Sequence, residues 1–223
     1  MNSITLAQRV KKVAGELEVI AAEISQYHDG RPTPVFSFAQ VDPLWSAIKL
    51  GTGGGYTIGS AGCALTCAAM VVSQVDPVIT PATLQTELLR VNGFSGPYLA
   101  WEALPVLYPQ LTFAGIVNYP GPADMEAVRE ALFRGPVVLW VDFNPNTNKQ
   151  ETHFVLGVKM VGDDITIIDP IDGYTGDLLM RYGARRKWTL ARAIYGLRAL
   201  QLKGTGSLSF SSPPVYTYDT VYP

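Results

Sequence analysis

The chain has 223 residues, 48% of them hydrophobic and 16% charged, so it can bury a sizeable core and lacks the composition of a disordered chain. Lys and Arg number 17 against 19 Asp and Glu, and the resulting net charge of −2 gives no electrostatic footprint for DNA or RNA. Two cysteines exclude a disulfide scaffold, and two histidines exclude most histidine-based metal clusters.

Residues 1–27 predict a helix. Leu6, Val10, Val13, Leu17, Ile20 and Ile24 recur at alternating spacings of 4 and 3, an a/d pattern over about three heptads. Ala7, Ala14 and Ala21 widen that stripe. The segment therefore reads either as a helix lying on its own domain or as a short oligomerising stalk. Glu16, Glu18 and Glu23 interrupt any apolar signal-peptide core, and no run approaches the ~20 apolar residues that span a bilayer. The expectation is a protein of the cytoplasm or of a larger particle, with no membrane span.

Residues 28–35, His28-Asp-Gly-Arg-Pro-Thr-Pro and one more, read as a linker in which His28 is exposed and idle. Residues 36–203 form the main domain. Its Gly51-Thr-Gly-Gly-Gly55 loop is not a phosphate loop, because no Lys-Ser/Thr follows. Four helices are predicted next. The first opens at Cys63 and runs to about residue 74. The second covers 81–90, with Thr80 as N-cap and Pro81 at the first helical position. The third covers 100–108. The fourth covers 123–133, acidic at its start and closed by Arg134-Gly135.

The second half is rich in Val, Ile, Leu and Phe. Strands are predicted at 111–117, 136–143, 153–161, 165–169, 177–182 and 194–202, with Gly162-Asp163-Asp164 as a hairpin turn. Helices first and a mostly antiparallel sheet second argue an α+β fold. Residues 204–223 are Ser-, Pro- and Tyr-rich without helical period and form an extended tail.

Cys63 draws attention because Gly59-Ser60-Ala61-Gly62 precedes it and an apolar helix follows. At a helix N-terminus the unpaired N–H groups and the macrodipole favour a thiolate. Cys67, one turn on among Thr66, Ala68 and Ala69, reads as a buried structural thiol. A Cys63–Cys67 disulfide is disfavoured, because the ~5–6 Å between Cβ atoms at i,i+4 exceeds the ~3.5–4.5 Å a disulfide wants. His153 opens an apolar strand, and Asp169 ends the next one, after a single hairpin. Neighbouring strands lie ~4.8 Å apart, so a carboxylate there can hold the imidazole in one tautomer and leave its other nitrogen for a thiol.

Asp172 is a second candidate for that carboxylate; Asp169 is favoured because it directly ends the apolar run. Cys63, Cys67 and His153 have zinc-ligand chemistry, but a lone Cys-x-x-x-Cys on one helix is a weak zinc motif. Arg181, Arg185, Arg186 and Lys187 read as a solvated basic turn. Trp45, Tyr56, Tyr98 and Trp101 line either a groove or the core.

The set Gln40-Val-Asp-Pro-Leu-Trp45, Tyr56-Thr-Ile-Gly-Ser-Ala-Gly-Cys63-Ala-Leu-Thr, Thr152-His153-Phe-Val-Leu and Ile168-Asp169-Pro170 resembles the C39-like cysteine peptidases of the papain-like superfamily. The resemblance covers roughly residues 36–202. It implies a papain-like fold, a helical first half packed on a mostly antiparallel sheet, and no cofactor. It also implies Cys63 as nucleophile, His153 as general base and acid, Asp169 as orienting residue and Gln40 as oxyanion-hole donor beside the Cys63 N–H. The 23 residues from Gln40 to Cys63 exceed the spacing in transporter-linked members; if Gln40 is structural, another donor must fill the hole. The expected substrate is a peptide, a protein or a peptidoglycan peptide. Two alternatives stay open: a peptidoglycan amidase or endopeptidase, and a non-catalytic attachment protein, for example of a virus particle, assembled through residues 1–27 and 204–223.

Overall fold

Helices come first along the chain and strands second. The computed structural model describes residues 35–144, 151–183 and 187–203, all within the unit Val35–Pro223. The helix predicted over 1–27, His28, and the tail over 204–223 lie outside these residues, as do Arg185 and Arg186.

Helix α1, Ile58–Ala61, and helix α2, Cys63–Val72, meet at Gly62. Thr57 and Ser60 cap α1 reciprocally, each side chain taking the other's backbone N–H. Every residue of α2 except Ala64 is buried, as a helix apolar on all sides must be. Helix α3, Pro81–Arg90, starts as predicted: Thr80 accepts the Thr83 N–H, Thr83 accepts the Thr80 N–H, and Pro81 takes the first position. A short hairpin follows, β1 at Phe94–Ser95 and β2 at Tyr98–Leu99.

The single helix predicted over 100–108 is instead a 3₁₀ turn, Trp101–Ala103, and α4, Leu104–Leu107. Pro105 has no N–H to give to the Trp101 carbonyl, so Leu104 closes the turn on it instead. Strand β3, Leu111–Asn118, helix α5, Met125–Arg134, and strands β4, Val137–Asp142, β5, Thr152–Val161, and β6, Asp164–Asp169, match the predicted segments within a few residues.

The strand predicted over 177–182 is a correction. The chain pairs as β7 over Tyr174–Asp177 and then turns into helix α6, Leu178–Tyr182. Asp177 is the reason: its carboxylate accepts the Met180 N–H at 2.8 Å and caps the turn. Helix α7, Leu190–Ala193, and strand β8, Ile194–Leu202, complete the fold.

All six long-sheet strands pair antiparallel in the order β3-β8-β4-β5-β6-β7. Both faces are covered, so the strands read as nearly unbroken apolar runs. Val138, Phe154, Leu156 and Leu200 share one core with α2. Val137, Leu139, Val141, Val155 and Ile167 share the other with Val128 of α5 and Leu178 and Tyr182 of α6. The protein is thus a mixed α+β structure with a six-stranded antiparallel sheet. Among the described residues, no helix is long and apolar enough to cross a membrane.

Candidate active site

Cys63 is the first residue of α2 and is buried. Gly62 caps the helix without a side-chain bond, so no side chain covers the first-turn N–H groups. A Cβ on Gly62 would stand 2.4 Å from the Ile58 carbonyl oxygen. The tight α1–α2 junction therefore needs glycine, and that junction sets where α2 begins. Gly59 is constrained likewise, because a Cβ there would meet Ser46 at 2.8 Å.

His153 lies on β5 opposite Val141 of β4, and Asp169 ends β6. The two side chains meet: His153 Nε2 is 2.9 Å from Asp169 Oδ1. The Cys63 thiol stands near enough to the imidazole to act on its pKa. With Nε2 taken by the carboxylate, Nδ1 is the nitrogen left for the thiol. The imidazole ring is flanked by Phe143, centroids 5.3 Å apart, and by Tyr182, at 5.8 Å.

Asp169 is fully buried. Its Oδ1 also accepts the Ile171 N–H at 3.0 Å, and its Oδ2 takes the Tyr182 hydroxyl and pairs with Arg181 Nε. Burial raises the Asp169 pKa, but the hydrogen bond and charge of His153, helped by Tyr182 and Ile171, more than offset this and hold it below its ordinary value. Burial likewise pulls the His153 pKa down. Hydrogen bonds to Asp169 and Cys63, with their negative charge, win and raise it to about 9. The arrangement favours an imidazolium beside the Asp169 carboxylate.

Asp172, the alternative carboxylate, faces away from this pairing. Its Oδ2 pairs with Arg181 Nη2 at 2.9 Å, and its Oδ1 accepts the Tyr174 N–H. Cys67 is fully buried, and its thiol contacts the Phe154 carbonyl at 3.5 Å. Burial, then Cys63 and Asp169, push that thiol well above its ordinary pKa. Among the described residues, no group of three or more His, Cys, Asp and Glu is placed to hold a metal ion.

Gln40 is buried and bridges the two halves of the site. Its backbone N–H donates to the Pro170 carbonyl, next to Asp169, and its Nε2 donates to the Gly59 carbonyl at 3.0 Å, in the turn before Cys63. Its Oε1 has no hydrogen-bond partner among the described residues. Of the aromatics, Trp101 is core, stacked at 6.3 Å on Phe113. Trp45 is also buried, donating to the Ala39 carbonyl at 2.8 Å. Tyr98 instead lines a small depression with Ala61, Ala64, Leu65 and Phe154.

Sequence reasoning misplaced Arg181 and overlooked Tyr182. Arg181 is not a solvated turn residue: it pairs with Asp169 and Asp172 and stacks 4.5 Å from the Tyr174 ring centroid. The signal was present in Asp177 and Gly183, which bracket a capped helical turn rather than a strand. A scan of protein-family models finds none that matches the chain, and a comparison with curated protein sequences finds no match.

Proposed function

We propose that the protein is a thiol hydrolase of the C39-like, papain-like kind, cleaving a peptide or amide bond with Cys63, His153 and Asp169. One observation carries this reading: a buried histidine has its Nε2 held 2.9 Å from a buried carboxylate, and the Cys63 thiol at the start of α2 is near enough to raise that histidine's pKa. The fold supports it, since a helix bearing the thiol packs on an antiparallel sheet bearing the other two groups.

In the proposed reaction the Cys63 thiolate attacks the substrate carbonyl carbon. The carbonyl electron pair moves to oxygen, where the Cys63 N–H and the second Nε2 hydrogen of Gln40 receive it. The carbon–nitrogen bond then breaks as the His153 Nδ1 proton passes to the leaving amine. Water attacks the resulting thioester, His153 takes the water proton, and the Cys63 thiolate leaves. Asp169 stays ionised throughout and holds His153 in place.

The test is an activity-based electrophilic peptide probe on the full chain and on C63A, alongside peptide and muropeptide digestion. The expected outcome is labelling of the wild type alone and cleavage lost in C63A. A wild-type chain that takes no probe at Cys63 overturns the proposal. Which digest is cleaved separates a protein substrate from a peptidoglycan one.

A further inference from the structure

Asp169 carries more donors than a simple orienting residue needs. Oδ1 takes His153 Nε2 and the Ile171 N–H; Oδ2 takes the Tyr182 hydroxyl and Arg181 Nε. A carboxylate offers about four lone-pair sites, so these four donors saturate it. Two of the four come from consecutive residues at the end of α6, whose start is capped by Asp177. Arg181 is itself fixed, by Asp172 at 2.9 Å and by the Tyr174 ring beneath it.

We propose that Arg181, with Tyr182, is a positioning residue that shares Asp169 with His153 and so keeps His153 able to release its proton during turnover. This rests on the thiol-hydrolase reading above. The argument is one of competition for a single anion. A buried imidazolium held by an undivided carboxylate is a poor acid, and transfer to a leaving amine slows as the imidazolium tightens. A permanent cation on the other oxygen draws part of that field away and repels the imidazolium. Tyr182 acts in the same direction. Burial and then Asp169 hold its phenol well above the ordinary range, so it remains a proton donor to Oδ2.

The titratable and charged groups that act on the His153–Asp169 pair come from two helices: Cys63 and Cys67 of α2, and Arg181 and Tyr182 of α6. Asp142 spends its Oδ1 on the Asn144 and Glu151 N–H groups, and Asp172 pairs with Arg181, so neither competes for the imidazole.

With only two histidines in the chain, the test is direct. In full-length protein carrying His28→Ala, the single remaining histidine is followed by nitrogen NMR over about pH 5 to 11. R181M is expected to raise the His153 titration by about one pH unit, and Y182F by a smaller step. R181K, which keeps the charge, is expected to stay with the parent protein. A purely structural Arg181 would leave the titration of the folded variant unmoved. An unchanged or lowered His153 titration in R181M overturns the proposal. If R181M does not fold, the near-isosteric Y182F decides in the same way. Failure of the underlying reading looks different: His153 of the parent protein would then titrate at or below the ordinary 6.5.

Discussion

The thiol of Cys67 lies 3.5 Å from the carbonyl oxygen of Phe154, one residue past His153, and ties α2 to β5. Cys63 stands four residues before Cys67 on the same helix, one turn nearer the N-terminus. The contact that seats Cys67 therefore also sets how α2, with Cys63 at its start, lies on the strand that carries His153. Iodoacetamide at neutral pH should modify Cys63 at least ~10-fold faster than Cys67, as peptide mass mapping would read. Cys67→Ala should keep that reactivity at a stability cost of about 1 kcal/mol. Equal labelling of the two thiols would contradict an activated Cys63.

Gln40→Ala separates the chemistry of bond cleavage from thiol reactivity. Loss of the proposed oxyanion donor is expected to lower kcat by about 10²-fold with KM nearly unchanged. Alkylation of Cys63 builds no oxyanion, so the iodoacetamide rate should stay close to the parent value. A parallel loss of both rates would mean that Gln40 only braces Gly59 and Pro170.

Protein stability should depend on pH on both sides of neutrality. The His153 pKa is raised in the folded chain from 6.5 to about 9, so its contribution is complete below about pH 6.5 and is lost as pH rises through about 9. That contribution is at most about 3 kcal/mol, from the size of the shift. The Asp169 pKa is lowered, so its contribution is present above its ordinary 3.8 and is lost as pH falls further. Urea midpoints measured from about pH 7 to 10 should fall in the parent protein and fall much less in His153→Gln. The same slope in both would remove His153 as its source.

Gly62→Ala places a Cβ against backbone, 2.4 Å from the Ile58 oxygen and 2.8 Å from its Cα. No side-chain rotation relieves this, so α1 and α2 must separate. The expected cost is about 1–3 kcal/mol, or roughly 3–9 °C in Tm, together with slower alkylation of Cys63. An unaltered Tm would show that the junction is loose.

Much of the site was legible because its residues are scarce and sit at element ends. Cys63 opens an apolar run, His153 opens another, and Asp169 closes a third, so termini alone place them at the sheet's end. That Asp169 rather than Asp172 meets His153 could be read on the same ground. Periodicity could not supply α1, β1, β2 or α7, which are two to four residues long and below one period of any pattern. The segment over 178–182 was misjudged because Leu-Leu-Met is apolar enough for a strand, and the side-chain cap at Asp177 outweighs that preference. Arg181 was missed for a more general reason: an ion pair between residues 12 apart in sequence is a product of the fold.

The strand order carries a consequence for how the protein is made. Among the described residues, strand β8 comes last in the chain yet lies between β3 and β4, and β3 pairs with no other strand. A chain emerging from the ribosome already holds Gln40, Cys63, His153 and Asp169 when β8 is still unmade, but its sheet is then in two pieces. Cys63 is thus translated some 130 residues ahead of the strand that joins the sheet, so assembly of the intact sheet must wait for insertion of that central strand.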